Sequence, residues 1–171
     1  MAEGRRDRHG WNSLDHYLTI HDHCLDNFRD YFVISDNLRY LPFDGEFRIE
    51  GRISCVHDLF IDVRKTLEYR AVDQKVRTIK YRYHAGKSAP VARSIFRYDN
   101  AHDGYIQFGQ PDEHHKHVYD IRGGMAEFPP EWIGRSRWPV LSEVIEELRQ
   151  WWESTGRLID WKNLPPINPP V

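Results

Sequence analysis

The chain has 171 residues, enough for one domain with a real core, and 40% hydrophobic against 29% charged residues is the balance of a soluble globular protein. A net charge of −2 leaves no global basic signal for nucleic acid, so a positive surface has to come from local placement. No apolar run nears the roughly 20 residues of a membrane span, and the charged start MAEGRRDRHG, with no apolar stretch behind it, does not read as a secretory signal.

Residues 1–12 read as a flexible polar tail. From Ser13 the pattern turns helical: Leu14, Tyr17, Leu18, Cys24, Leu25, Phe28, Tyr31 and Phe32 recur at three- and four-residue spacing, with His21 breaking the stripe. Asn12 or Ser13 can cap the first turn. His16, His21 and His23 form no tidy pair on one polar face and read as structural or solvent-facing. Cys24 and Cys55 lie far apart, without Cys-x-x-Cys spacing. Both suit apolar positions, so they read as core thiols in a reducing cytoplasm.

A Pro-Phe-Asp-Gly turn at 42–45 opens a run of strict alternation. Over 46–56, Phe47, Ile49, Ile53 and Cys55 share one face, with Glu46, Arg48, Glu50 and Arg52 on the other. Over 58–70 the apolar face is Leu59, Ile61, Val63, Leu67 and Tyr69, and the polar one Asp62, Arg64, Thr66 and Glu68. Successive strand side chains point to opposite faces, so these are half-buried antiparallel strands. A third strand over 76–84 turns Ile79, Tyr81 and Tyr83 to the core and Lys80, Arg82 and His84 away from it. A fourth over 93–98 pairs Phe96 with Tyr98 inward and Ile95, Arg97 and Asp99 outward, which brings Arg97 beside Lys80, Arg82 and His84. A fifth over 114–121 groups His115, His117 and Tyr119 against His114, Lys116 and Val118. Pro139 suits a helix start. Leu141, Val144, Ile145, Leu148 and Trp152 make an apolar stripe, early glutamates suit the positive end, and Gly156 is a stop. Residues 161–171 are Pro-rich and read as an extended tail lying on the body. The expected architecture is a single α+β domain over 1–171: an N-terminal helix, a mainly antiparallel five-stranded meander, and a C-terminal helix packed on one sheet face.

The window 96–119, FRYDNAHDGYIQFGQPDEHHKHVY, holds His102, His114, His115 and His117 among cations and an Asp. Histidines can serve as both base and acid near neutral pH, and Lys or Arg can stabilise charge on a phosphorane-like transition state. His84, His102, His114, His115, Lys116 and His117 are therefore candidates for metal-independent RNA cleavage, with Lys80, Arg82, Arg97, Asp99, Asn100, Tyr83 and Tyr98 to hold substrate. His115-x-His117 is also a two-ligand start for a metal. A third reading is a non-catalytic module whose basic sheet face binds nucleic acid or a partner protein. Phosphate loops of Walker type, dinucleotide fingerprints, Gly-x-Ser-x-Gly and His-Glu-x-x-His are absent from the sequence.

YRYH at 81–84, FRYDNAH at 96–102 and HHKH at 114–117 resemble the TumE-like toxin family of toxin–antitoxin modules. GRIS at 51–54, LEY at 67–69 and LSEVIEEL at 141–148 are compatible with it, and the likeness spans roughly 46–153. The resemblance implies a small toxin acting as a ribonuclease, with RNA as substrate; the thiols place it in the cytoplasm, and the histidine chemistry needs no cofactor. The resemblance also implies neutralisation by a cognate antitoxin carrying a helix-turn-helix domain; a homo-oligomer stays open. Carried onto matching positions, the site residues are Tyr83, Arg97, Tyr98, Asp99, Asn100, His102, His114, His115, Lys116 and His117. Two features depart from the family pattern: 55–60 lacks the acidic-Gly-Ser hairpin, and Asp103 stands where a second histidine often follows.

Overall fold

A computed structural model describes residues 9–100, 110 and 112–167. Ser13 caps the first helix, α1 (Leu14–Arg29), its side chain accepting from the His16 amide at 3.2 Å. The buried side of α1 is His21, Leu25 and Phe28, so His21 belongs to the stripe it was expected to interrupt.

Nine strands, not five, form the sheet among the described residues. They are β1 (Asn12–Ser13), β2 (Val33–Asp36), β3 (Arg39–Phe43), β4 (Glu46–Cys55), β5 (Leu59–Arg70), β6 (Lys75–Lys87), β7 (Arg93–Asp99), β8 (His115–Val118) and β9 (Glu131–Trp132). The order is β2-β4-β5-β6-β7-β8-β9, with β3 also on β4 and β1 on β6, and every pairing is antiparallel. The first turn is tighter than expected. Pro42 and Phe43 remain in β3, and Asp44 and Gly45, with φ of 42° and 77°, make a two-residue hairpin turn whose backbone matches strand twist. β2 and β3 share β4 end to end, and the chain crosses between them over Gly51. That residue has φ of 151°, and a Cβ there would sit 2.7 Å from the Asn37 carbonyl.

Two bulges change the expected facing. Leu67 pairs with Thr78 and Thr66 with Lys80, so Ile79 is an extra residue on β6; Gly86 pairs with Ser94 and Ala85 with Phe96, which makes Ile95 extra on β7. Ile79 is consequently only half-buried, whereas Ile95 joins the core.

Both helices cover the same face. α2 (Leu141–Ser154) places Leu141, Val144, Ile145 and Leu148, and α1 Leu25 and Phe28, against Ile53, Ile61, Val63, Tyr81, Tyr83, Phe96 and Tyr98. Removing each such side chain from water contributes about 1.5–3 kcal/mol. Glu143 supports the start of α2 by accepting from the Val140 amide at 3.1 Å. Beyond Gly156, Trp161–Asn163 forms a 3-10 turn. The Trp161 indole donates to the Gly156 carbonyl at 2.8 Å and packs by Trp151 and Trp152, while Arg93 donates to the carbonyls of Ile121 and Pro165. Among the described residues no helix is long and apolar enough to cross a membrane.

Candidate functional site

Alternation sends every second side chain of β4–β8 away from the helices, and register arranges these in rows. His84, Arg97 and His117 lie abreast on β6, β7 and β8; Arg82, Asp99 and His115 form the next row. β5 adds Asp62 opposite His84 and Arg64 opposite Arg82, and β4 adds Arg52 opposite Asp62. Strand spacing of about 4.8 Å puts the His84 and His117 backbones roughly 10 Å apart, with Arg97 between them.

The geometry around Asp99 is close. Arg97 Nε donates to Asp99 Oδ2 at 2.7 Å, and its Nη1 donates to the Tyr119 hydroxyl at 3.3 Å. His115 Nδ1 lies 2.6 Å from the Glu113 carbonyl oxygen, which can only accept, so that nitrogen carries a proton. His115 Nε2 lies 3.1 Å from Asp99 Oδ1 and 3.0 Å from His117 Nε2. A second proton on Nε2 makes an imidazolium held by Asp99. Burial opposes that charge, but the hydrogen bonds to Asp99 and to the Glu113 carbonyl outweigh it and raise the His115 pKa. Burial likewise works against the Asp99 carboxylate, and His115 and Arg97 together hold it well below its usual range.

His84 is the counterpart. Its Nε2 is 2.8 Å from Ser94 Oγ and its Nδ1 3.8 Å from Asp62 Oδ2. Burial lowers its pKa; Asp62 only partly offsets this, and Arg97, Arg52 and Arg82 add to the lowering. The row thus has a neutral histidine at one end. At the other, His117 Nε2 lies 3.0 Å from Nε2 of His115, whose pKa is raised. Next to His84 a shallow groove of about 440 Å³ runs across β4–β6, lined by Arg39, Arg52, Arg64 and Arg82 with Glu50 and Asp62 among them.

The residues expected from sequence divide between the faces. His84, Arg82, Arg97, Asp99, His115 and His117 come together on the open face, and Lys80 lies exposed further along it. Tyr83, Tyr98, His114 and Lys116 are on the helix side. Tyr98 donates to Glu147 at 2.6 Å, Lys116 bonds the same carboxylate at 2.5 Å, and His114 packs on Tyr81 and Trp138. Burial lowers the His114 pKa. Asn100 bridges backbone, accepting from the Tyr81 amide and donating to the Ile79 carbonyl, both at 2.9 Å. His102 lies outside the described residues. Asp62 and Arg52, joined at 2.6 and 2.8 Å, were legible as polar-face residues; only register puts them beside His84. Asp99, His115 and His117 each offer one ligand atom, all within 4.8 Å of one another, and are the described residues that could hold a metal.

The model of the family described as Toxin TumE matches residues 21–152, and the chain belongs to that family, which makes it a toxin of a toxin–antitoxin system with an antitoxin as partner. No curated protein and no solved structure matches it.

Proposed function

We propose that this toxin is an endoribonuclease acting in the cytoplasm, with its centre on the row His84, Arg97 and His117, and that its antitoxin carries a helix-turn-helix domain. The observation behind this reading is that two histidines in opposite electrostatic settings flank an arginine on a sheet face left open by both helices. His84, kept neutral, takes the proton of an RNA 2′-hydroxyl; the 2′-oxygen attacks phosphorus; and the 5′-oxygen leaves with a proton from His117, which His115 resupplies. Arg97 meets the charge growing on the phosphoryl oxygens. The arginines of the neighbouring groove suit the flanking phosphates of a single strand.

The test is cleavage of single-stranded RNA in EDTA beside the same strand carrying a 2′-deoxy nucleotide at the cut site. The expected outcome is cleavage of the first and sparing of the second; equal rates would end this mechanism. A second reading has its own observation. The ligand atoms of Asp99, His115 and His117 converge at 3.0 and 3.1 Å, as around one divalent ion. Activity lost in EDTA and regained with zinc or manganese would favour it.

A further inference from the structure

The other face of the sheet contains a cavity of about 360 Å³ between α1, the start of α2, and strands β5 and β6. Lys65 reaches it from β5, at the position between Val63 and Leu67 on the apolar face, and is only 7% exposed. Its ammonium donates to the Tyr17 hydroxyl at 3.1 Å and lies 5.4 and 5.6 Å from the Tyr17 and Tyr83 rings. Other buried cations have stronger acceptors: Lys87 has the His57 carbonyl and Asp58 at 3.6 Å, and Arg93 has three carbonyls. Lys65 has hydroxyls. An ammonium has three donors, and a buried charge without a counter-charge is costly.

Two further features point into the same space. His21 Nε2 is buried with no hydrogen-bond partner among the described residues, and the side chain is 4% exposed. Leu141 and Ser142 open α2 against the cavity; their amides, unlike that of Glu143, which donates to the Val140 carbonyl at 3.1 Å, precede the first intrahelical bond, and the helix end is positive. One carboxylate, Glu143, lies in the lining, and its Oε2 is engaged by the Val140 amide. The remaining walls are largely aromatic and aliphatic, with Tyr17, Tyr83 and Trp138 in the lining.

We propose that this cavity binds a small organic anion, its carboxylate or phosphate on Lys65 and the start of α2, its aromatic or apolar body against Tyr17, Tyr83 and Trp138. The volume suits a ligand of that size. Lys65 repels a metal cation, and a neutral ligand leaves its charge unmatched. The His21 Nε2 supplies one further hydrogen bond, as donor or acceptor according to tautomer. This site is independent of the ribonuclease reading, because β6 separates the two: Tyr83 faces the cavity and His84 the open face.

Calorimetric titration of the full chain with phenylacetate, a nucleoside 5′-monophosphate and inorganic phosphate tests it, with Trp138 fluorescence as a second signal. The expected result is saturable one-site binding of an aromatic anion, tighter than that of inorganic phosphate. Which of the two aromatic probes binds distinguishes carboxylate from phosphate. Lys65→Met should weaken binding on the order of 30-fold or more, and Arg97→Ala should leave it unchanged. Because Lys65→Met replaces a buried charge by an apolar chain of similar length, it should fold at least as stably; Lys65→Gln serves if it does not. No binding of any probe at about 10 mM, binding that survives loss of the Lys65 charge, or binding lost in Arg97→Ala instead would overturn the proposal.

Discussion

The two faces of the sheet are made by alternate residues of the same strands, and both carry histidines and cations, yet Arg97 on one and Lys65 on the other are balanced in opposite ways. On the open face three cationic or titratable groups meet a carboxylate: Arg97 meets Asp99, Arg52 meets Asp62, and His115 lies against Asp99. On the covered face Lys65 meets hydroxyls, and His21 is buried beside it. The histidines titrate accordingly. Burial depresses His21, His114 and His84, whereas Asp99 lies close enough to His115 to reverse the sign. Proximity of a carboxylate, more than burial, separates a raised histidine pKa from a lowered one here. At 3.8 Å and partly exposed, Asp62 does not do for His84 what Asp99 does at 3.1 Å for His115.

The largest expected effect lies on the open face and is catalytic. His117→Ala should lower the RNA cleavage rate by about 10²–10⁴. Its side chain is half-exposed, so the midpoint of urea unfolding should move little. A rate change below about threefold would take His117 out of the proton-transfer role. On the covered face the order reverses. Leu148 is fully buried between α2 and the sheet, and Leu148→Ala should cost about 2–5 kcal/mol in urea unfolding. Cleavage per folded molecule should stay near that of the parent. A Leu148→Ala protein that lost activity while keeping its stability would contradict the division of labour between the faces.

pH sharpens the contrast because the signs differ. The folded pKa of His21 is lowered to about 3, by burial first and then by the Lys65 charge. The folded state therefore binds fewer protons than the unfolded one below about pH 6.5. Stability from neutral His21 is complete above that value and is lost as pH falls, by on the order of 2 kcal/mol at pH 5. His115 is raised, so its contribution is complete below about 6.5 and is lost as pH rises through the folded pKa. Asp99 is depressed, and its contribution holds above about 3.9 until pH falls towards the folded pKa. Urea unfolding at about pH 8, 6.5 and 5 should show His21→Leu flattening the acid side and Asp99→Asn flattening the alkaline side. Identical profiles for the two variants would remove the distinction.

How much of this the sequence disclosed follows the same division. Period-2 patterning in β4–β7 separates the faces well, because a half-buried strand writes its burial into alternate residues. It does not supply register, so the rows that join His84 to Arg97 and His117, or Asp62 to His84, emerge only from pairing. Lys65 stands in an apolar stripe where its charge hides it from pattern reading. The bulges at Ile79 and Ile95 leave no local mark, and β2, β3 and β9 are too short or too exposed to alternate. Tyr98 and Lys116 are adjacent to site residues in sequence and still face Glu147 of α2, as one-residue parity demands.

The smallest effect belongs to Asp62, which joins the site to the arginine groove. Its bidentate pair with Arg52 is short, but both side chains are substantially exposed, at 39% and 45%. Exposed pairs contribute at most about 1 kcal/mol, so Asp62→Asn should barely move the unfolding midpoint. Its effect should appear in the pH–rate profile instead. Asp62 is the influence that offsets burial at His84, and without it the Arg97, Arg52 and Arg82 charges lower that pKa further. With His84 as the proposed base, active when neutral, the acid limb of kcat/KM should move to lower pH, with the plateau rate nearly unchanged. A shift of the alkaline limb would make His84 the acid and His117 the base; no shift in either limb would place His84 outside the chemistry.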